Sequence, residues 1–381
     1  MSENEVAESN DSAQERMYPS CPCCQFFVPD DLFLPTSDYD PGNDQVLSEM
    51  IKPPEAWEKL QRFAHTLLQT GKDDRHANDD ERGNVLLVDS HGHAHLEPPS
   101  QGESIYTLGS GDDDDTGTNS LDNMVASLTC AVCPEDWGSC LEYASKSKHR
   151  VAAIGVHPWY LDNLPDTWLT DLETLLQKHQ GCMVGEMGLC KQARFLRTYE
   201  GGKQEALKMQ RDVFVQQLHL AGKYHRAVSV HCVNQQGVLL DILKELETNM
   251  LPTAIALHSF TGTAHHVQQL LKWEATLRRS EPLLYFGFSH IVNYGMCSSD
   301  KSRRQGRLAV QSVPRDRLLA ESDVHSNADV LGGTVGAVAY ISWALQGVDS
   351  KGADSTSLEA IAALTRRNGL RFLNLIRKTA A

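Results

Sequence analysis

From Asn84 onward, short runs of apolar and β-branched residues alternate with longer amphipathic segments, and this alternation limits the possible folds more than any other feature of the chain. Eight runs can be distinguished: Val85–Asp89, Ser127–Val132, Val151–Val156, Cys182–Gly185, Ala227–His231, Thr253–His258, Leu283–Phe288 and Leu318–Glu321. Helical patterns lie between them. Gln204–Lys223 sets Leu207, Phe214, Leu218 and Ala221 on one face, and Leu239–Glu247 is a second such segment. Strands separated by helices pair in parallel, and eight such units over about 300 residues fit a closed (β/α)8 TIM barrel better than an open sheet. The barrel is expected over residues 84–381, interrupted at 97–119 by a flexible acidic insertion that includes Gly111 and Asp112–Asp115.

The N-terminal part differs in character. Residues 1–83 hold 18 acids and 7 bases in a chain of net charge −15, so the remainder is nearly balanced at −4. Residues 1–50, rich in Ser, Asp, Glu and Pro, read as an acidic and largely disordered leader. Within 51–83, Trp57, Leu60, Phe63, Ala64, Leu67 and Leu68 recur at helical spacing after Pro53-Pro54, which predicts a helix and a linker. Met1–Ser20 has no apolar core of a secretory signal, and no run of eighteen apolar residues predicts a membrane span. Ten scattered cysteines fit reduced thiols without disulfides. The expectation is a cytoplasmic or nuclear protein with no membrane partner. The charge balance neither predicts nor excludes a nucleic-acid substrate.

Polar side chains able to bind metal stand at the C-terminal ends of the apolar runs, the face where barrels of this kind carry their active sites. The first run ends in Asp89-Ser90-His91-Gly92-His93. Alternate residues of an extended chain share a face, so His91 and His93 can address one ion, and Asp89 is expected on the same face to orient them. Glu186 follows the fourth run, His231 and His258 close the fifth and sixth, and Asp323 follows the eighth. Four imidazoles and two carboxylates drawn from five strand ends make a set suited to two divalent ions, with a carboxylate between them.

In order and spacing these residues resemble the motifs of the TatD family of metal-dependent deoxyribonucleases. Asp89–His93 matches its Asp-x-His-x-His strand, Gly155-Val156-His157-Pro158 its Gly-x-His-Pro, Gly185–Leu189 its Gly-Glu-x-Gly-Leu, and His258–Gly262 its His-x-Phe-x-Gly. His231-Cys232 and Leu318–Asp323 correspond to its strand-five and strand-eight segments. The resemblance implies a TIM barrel of the metal-dependent hydrolase type that holds two divalent ions, Zn, Mg or Mn. It places His91, His93 and Asp323 around one ion and His231 and His258 around the other, with Glu186 bridging. It also implies cleavage of DNA phosphodiesters by a water that loses its proton to Asp323, with Asp323 and Glu186 as the catalytic carboxylates.

The chain departs from the family pattern around this set. Cys190 stands where the family has Asp, Val233 where it tends to have Arg, and Val324-His325 where it has Ala-Pro. These changes point to altered substrate recognition beside a retained metal centre. The leader and insertion resemble extensions of a fungal branch of TatD-related proteins, some of them described as partners of other proteins. Two other functions therefore stand beside the nuclease: an amidohydrolase acting on a small substrate, and a barrel scaffold that meets a protein partner through its N-terminal region. Glu186, at the position where amidohydrolases often carry a modified Lys, argues against the former.

Several residues carry two readings. His157 lines the pocket or serves as a structural histidine beside Pro158, and His325, two residues past Asp323, is a candidate phosphate contact. His95 reads as a solvated loop residue, His265 and His266 as surface residues, and His290 faces either the site or solvent. Cys21, Cys23 and Cys24, and the pair Cys130 and Cys133, have spacings that can hold zinc, but neither group has a second matched pair nearby, so a structural role is favoured. The basic run Lys301–Arg307 can guide a polyanion or form a solvated helix face.

Overall fold

The computed structural model describes residues 85–96, 125–162, 164–297, 299–346 and 353–374. The leader, the predicted helix within 51–83, the insertion at 97–119 and the cluster Cys21, Cys23 and Cys24 lie outside the described residues.

Eight parallel strands follow one another around the sheet in chain order. They are β1 (Leu87–Gly92), β2 (Val125–Cys130), β3 (Arg150–Ile154), β4 (Met183–Cys190), β5 (Val228–Val233), β6 (Ile255–Leu257), β7 (Leu284–Phe288) and β8 (Leu318–Ala320). Helices α1 (Trp137–Ser145), α2 (Trp168–Lys178), α3 (Gly202–Lys223), α4 (Gln236–Glu245), α5 (Ala264–Thr276) and α6 (Asp300–Ser312) connect β2 through β8 in turn, and α7 (Val330–Leu345) and α8 (Leu358–Asn374) follow β8. Backbone bonds just past β8 close the ring: Asp323 N donates to His91 O at 3.0 Å and His93 N to Val324 O at 2.8 Å. The expected (β/α)8 barrel is borne out, with strand ends shifted by a few residues.

Both faces of the strands are buried, so they read as continuous apolar runs rather than alternating ones. Val88, Ala126, Leu128, Ala153, Met183, Ala256, Tyr285 and Leu319 form the inner cluster. Their neighbours Leu87, Ile154, Val184, Val230, Leu257, Phe286 and Leu318 pack outward with the helices. The span Asn327–Leu345 is long and apolar enough to cross a membrane, but 89% of it is buried inside the protein. Every residue of α7 is buried, so its apolar character is used in packing.

Two strands carry an extra residue, and both irregularities fall at the site. Pairing of β1 with β2 passes from Asp89↔Ser127 to Gly92↔Thr129, three residues against two. Pairing of β4 with β5 passes from Val184↔Val228 to Met187↔Val230, again three against two. A bulge of this kind rotates the following side chains relative to the pleat. It redirects His91 on β1 and Glu186 on β4. The expected alternation of Asp89 with His91 and His93 is therefore broken: Asp89 does not reach the histidine cluster, and its carboxylate instead accepts from Ser322 N at 2.8 Å and Ser322 Oγ at 2.6 Å.

Candidate metal centre

At the C-terminal end of the barrel the strands bring His91, His93, His157, Glu186, His231, His258 and Asp323 together. Glu186 is central. Its Oε2 lies 3.2 Å from His93 Nε2 and 3.4 Å from His91 Nε2. Its Oε1 lies 2.8 Å from His258 Nε2, 3.1 Å from His231 Nδ1 and 3.3 Å from His157 Nε2. Asp323 Oδ1 completes the first side, 3.7 Å from His93 Nε2 and 3.8 Å from His91 Nε2.

Three groups have donor atoms within 4.8 Å of one another: His91, His93 and Glu186; His91, His258 and Asp323; and His157, Glu186 and His231. The six residues singled out in the sequence thus converge, and His157 joins them. His258 is shared, stacked on the His91 ring at 3.9 Å between centroids and close to His231. This differs from a simple division in which His258 belongs to His231 alone.

The donor set suits divalent cations. His91 Nε2 and His93 Nε2 face each other at 3.4 Å, and His231 Nδ1 and His258 Nε2 at 3.2 Å, with no buried Lys or Arg among the described residues to balance the carboxylates there. Imidazole and carboxylate donors at this spacing fit zinc or manganese readily, and magnesium with more difficulty. Among the described residues, therefore, the site has the chemistry to hold metal.

Outer contacts fix the rings. His91 Nδ1 meets Ser229 Oγ at 2.8 Å and lies 3.3 Å from Cys130 Sγ, while His93 Nδ1 donates to Cys130 O at 2.7 Å. Glu321 accepts from Ser259 N and stands 3.7 Å from His258 Nδ1. Ser259 Oγ donates to Asp323 Oδ2 at 3.3 Å and pairs with Ser289 Oγ at 2.7 Å. Such partners set tautomer and direction. Ser229, Ser259 and Glu321 were not singled out in the sequence, and Cys130 was weighed only as half of a pair with Cys133. Ser229 and Glu321 each stand two residues before a singled-out residue, a spacing that was a usable signal.

Two backbone features hold the cluster. A Cβ on Gly188, at φ +152°, would fall 1.9 Å from His231 O, so only glycine lets β4 approach β5 this closely. Asp323 itself adopts a left-handed backbone with φ 55°, which turns the chain back beside β1.

Burial and mutual charge set the protonation states. Desolvation raises Asp323 to about 6 against the pull of His258 and His93. Burial opposes ionisation of Glu186, but the surrounding His258, His157 and His91 hold it well below the usual range. Desolvation works against charge on His93 too, yet its hydrogen bond to Glu186 and the nearby carboxylates raise it. His91 is pushed well down by burial and by His258.

The remaining candidates are placed as follows. His325 is within 5.1 Å of the His93 ring, lines the cavity and is lowered to about 3, chiefly by burial. His95 is not a solvated loop residue: its side chain is wholly buried, 2.8 Å from Thr129 Oγ1 and 3.3 Å from Asp136 Oδ2. Asp136 in turn caps the turn after β2 by accepting from Val132 N and Cys133 N. His290 is buried at the end of β7 and stacks on Tyr294. Cys130 and Cys133 are free, buried thiols, as are the other described cysteines except the half-buried Cys297. In the basic run, Arg303 lies over Tyr294 and Arg307 donates to Gln346 O, while Lys301 and Arg304 are exposed.

Known proteins are similar to this chain. The family described as TatD related DNase matches residues 88–373. The chain is 28% identical over 200 residues to the Cut9-interacting protein scn1 of Schizosaccharomyces pombe, a match covering 43% of this chain and 56% of that protein. It is 26% identical over 173 residues to the human 3'-5' RNA nuclease TATDN2, covering 45% of this chain and 19% of that one. The chain thus spans about half the length of the first relative and a fifth of the second. The crystal structure of the TatD homologue YjjV from Escherichia coli superimposes with a TM-score of 0.54 at 20% identity, covering 76% of this chain and 98% of that one, a likeness of fold. With the family match running through every barrel strand from β2 to β8 and nearly all of β1, the chain belongs to the TatD-related DNase family.

Proposed function

We propose that the protein is a metal-dependent phosphodiesterase that hydrolyses DNA with two divalent ions, Zn, Mg or Mn. The observation that carries this reading is the straddled carboxylate of Glu186, each oxygen of which faces a separate group of imidazoles. His91, His93 and Asp323 would hold one ion, and His231 and His258, with His157 beside them, the other. Bound there, divalent ions would act as Lewis acids on the phosphoryl oxygens and favour deprotonation of water near neutral pH.

The chain's own residues supply the rest. Asp323, whose Oδ1 faces His91 and His93, accepts a proton from the attacking water. Ser259 Oγ holds its second oxygen in place. The water oxygen forms the new bond to phosphorus, and the sugar oxygen leaves and takes up a proton. The buried Glu186, anionic in this environment, keeps the histidines convergent. A protein partner engaged through the N-terminal region is a second role, favoured by the match to a relative named for its interaction with Cut9. A cytoplasmic or nuclear setting, compatible with the free thiols, completes the proposal.

The test is degradation of single- and double-stranded DNA by purified protein with Mg²⁺, Mn²⁺ or Zn²⁺, beside Asp323→Ala and chelator controls. Metal-dependent cleavage lost in the variant is expected. Equal inactivity of both proteins under every metal, with less than one ion bound per chain, would overturn the proposal.

A further inference from the structure

The cavity over the candidate metal centre has an unusual wall for a site that acts on a polyanion. Beyond the histidines, Glu186 and Asp323, its lining includes Leu96, Trp159, Tyr160, Val233, Val292 and Met296, with Gln192 and Ser259 as uncharged polar groups, and no Lys or Arg lines it among the described residues. Of the nearby cations, two are engaged elsewhere and a third stands outside the cavity lining. Arg303 lies 4.7 Å over the Tyr294 ring and pairs with Asp300, Arg307 donates to backbone carbonyls after α7, and Lys191, next to Cys190, is exposed. The volume is about 200 Å³. That is below the roughly 300–1,000 Å³ of common ligand sites and matches a single nucleotide better than a longer stretch of strand.

One aromatic ring in this wall is held in place. Trp159 Nε1 donates to Cys190 Sγ at 3.1 Å, and the indole stands edge-to-face with His157, 5.5 Å between centroids. It remains partly exposed at the mouth, as do Tyr160 and Val233. A fixed and accessible indole is a stacking platform for a nucleobase. The two departures from the family pattern act in the same direction: Val233 replaces an Arg that would grip phosphate, and Cys190, in place of Asp, anchors the tryptophan.

We propose that the site binds the terminal nucleotide of short single-stranded oligonucleotides by stacking its base on Trp159, without reading the phosphates further along the strand. This rests on the phosphodiesterase reading above. Two consequences follow. Affinity is independent of strand length beyond the first two or three nucleotides, and its salt dependence is no greater than that of the one phosphate at the metal centre, because salt dependence scales with the number of phosphates neutralised.

The experiment measures KM and kcat with the full chain and its metal for a dinucleotide, a pentanucleotide and a 20-mer of single-stranded DNA, across salt. The expected result is a KM that varies by no more than about threefold with length, and a slope of log KM on log salt that stays at or below the roughly 0.7 of a single phosphate contact at every length. Trp159→Ala should raise KM about tenfold with little change in kcat, the scale of one lost stacked base, and Trp159→Phe should recover most of it. Val233→Arg should add about one phosphate contact to the salt slope. A KM that falls steeply with length and a salt slope worth several phosphates in the wild type would overturn stacking recognition while leaving the phosphodiesterase reading intact. No cleavage of any length by metal-loaded protein would overturn both.

Discussion

Asp89 gives the sharpest test of how the candidate centre is built, because its two readings differ in sign. As a ligand or partner of the histidines it would be anionic and its replacement would damage the site. In the structure it is a buried latch: its carboxylate accepts from the backbone and hydroxyl of Ser322, immediately before Asp323, and burial is the main cause that raises it from 3.8 to about 7. In the unfolded chain this carboxyl ionises near 3.8, so between pH 4 and 7 the metal-free native state holds a proton that the unfolded state has lost. Stability that is present below pH 4 is therefore lost as pH rises through 7. At about 1.4 kcal/mol per unit the total is about 4 kcal/mol, of which roughly 3 kcal/mol falls between pH 5 and 8.

Asp89→Asn keeps an acceptor for Ser322 N and removes the titration. Asp323, raised in the same direction, and Glu186, lowered in the opposite one, are present in both proteins. The difference between wild type and variant therefore isolates Asp89. Urea unfolding of chelator-treated protein at pH 5, 6, 7 and 8 should show the variant gaining on the wild type by roughly 3 kcal/mol across the series. Parallel curves, differing by a constant, would refute the reasoning and show that the Ser322 hydrogen bonds keep Asp89 ionised at ordinary pH.

Three further outcomes are expected. Gly188→Ala places a methyl 1.9 Å from His231 O, so the variant should lose about 3 kcal/mol or more of stability in urea unfolding, and an unchanged midpoint would contradict the close approach of β4 and β5. Ser229→Ala removes the 2.8 Å partner of His91 Nδ1, and competition against a chelator should show metal affinity reduced about 10- to 100-fold with the fold intact. Removing metal should abolish cleavage and lower the melting temperature, and restoring it at about a thousand times its dissociation constant should return about 4 kcal/mol of stability; a melting curve indifferent to metal would count against binding at this site.

The barrel was legible because its signals are local. Eight apolar runs with helical spacers require only neighbouring residues to be read, and Gln204–Lys223 emerges as α3 with nearly the same bounds. His91, His93, Glu186, His231, His258 and Asp323 were legible for a similar reason, each standing at a run's C-terminal end. What those residues touch was not legible. Simple alternation put Asp89 beside the histidines, and the extra residue in β1, visible only against the register of β2, turned it to Ser322 instead. Spacing left His157 open between pocket and structural roles, and it lies 3.3 Å from Glu186, its backbone N–H donating to Val132 O just past β2. His95 looked solvated until β2 and the turn after it supplied Thr129 and Asp136 as partners.

By itself, then, the order of residues determined the number and sequence of strands, the end of the barrel that carries chemistry, and the kinds of donor gathered there, since all of these follow from local hydrophobic pattern and side-chain identity. Tertiary structure alone decided which oxygen of Glu186 faces which imidazole, which carboxylate is bonded to Ser322 and which faces the histidines, and how apolar the cavity wall is. Those properties depend on bulges, register and burial, and they arise only when residues far apart in the chain are brought within a few ångströms of one another.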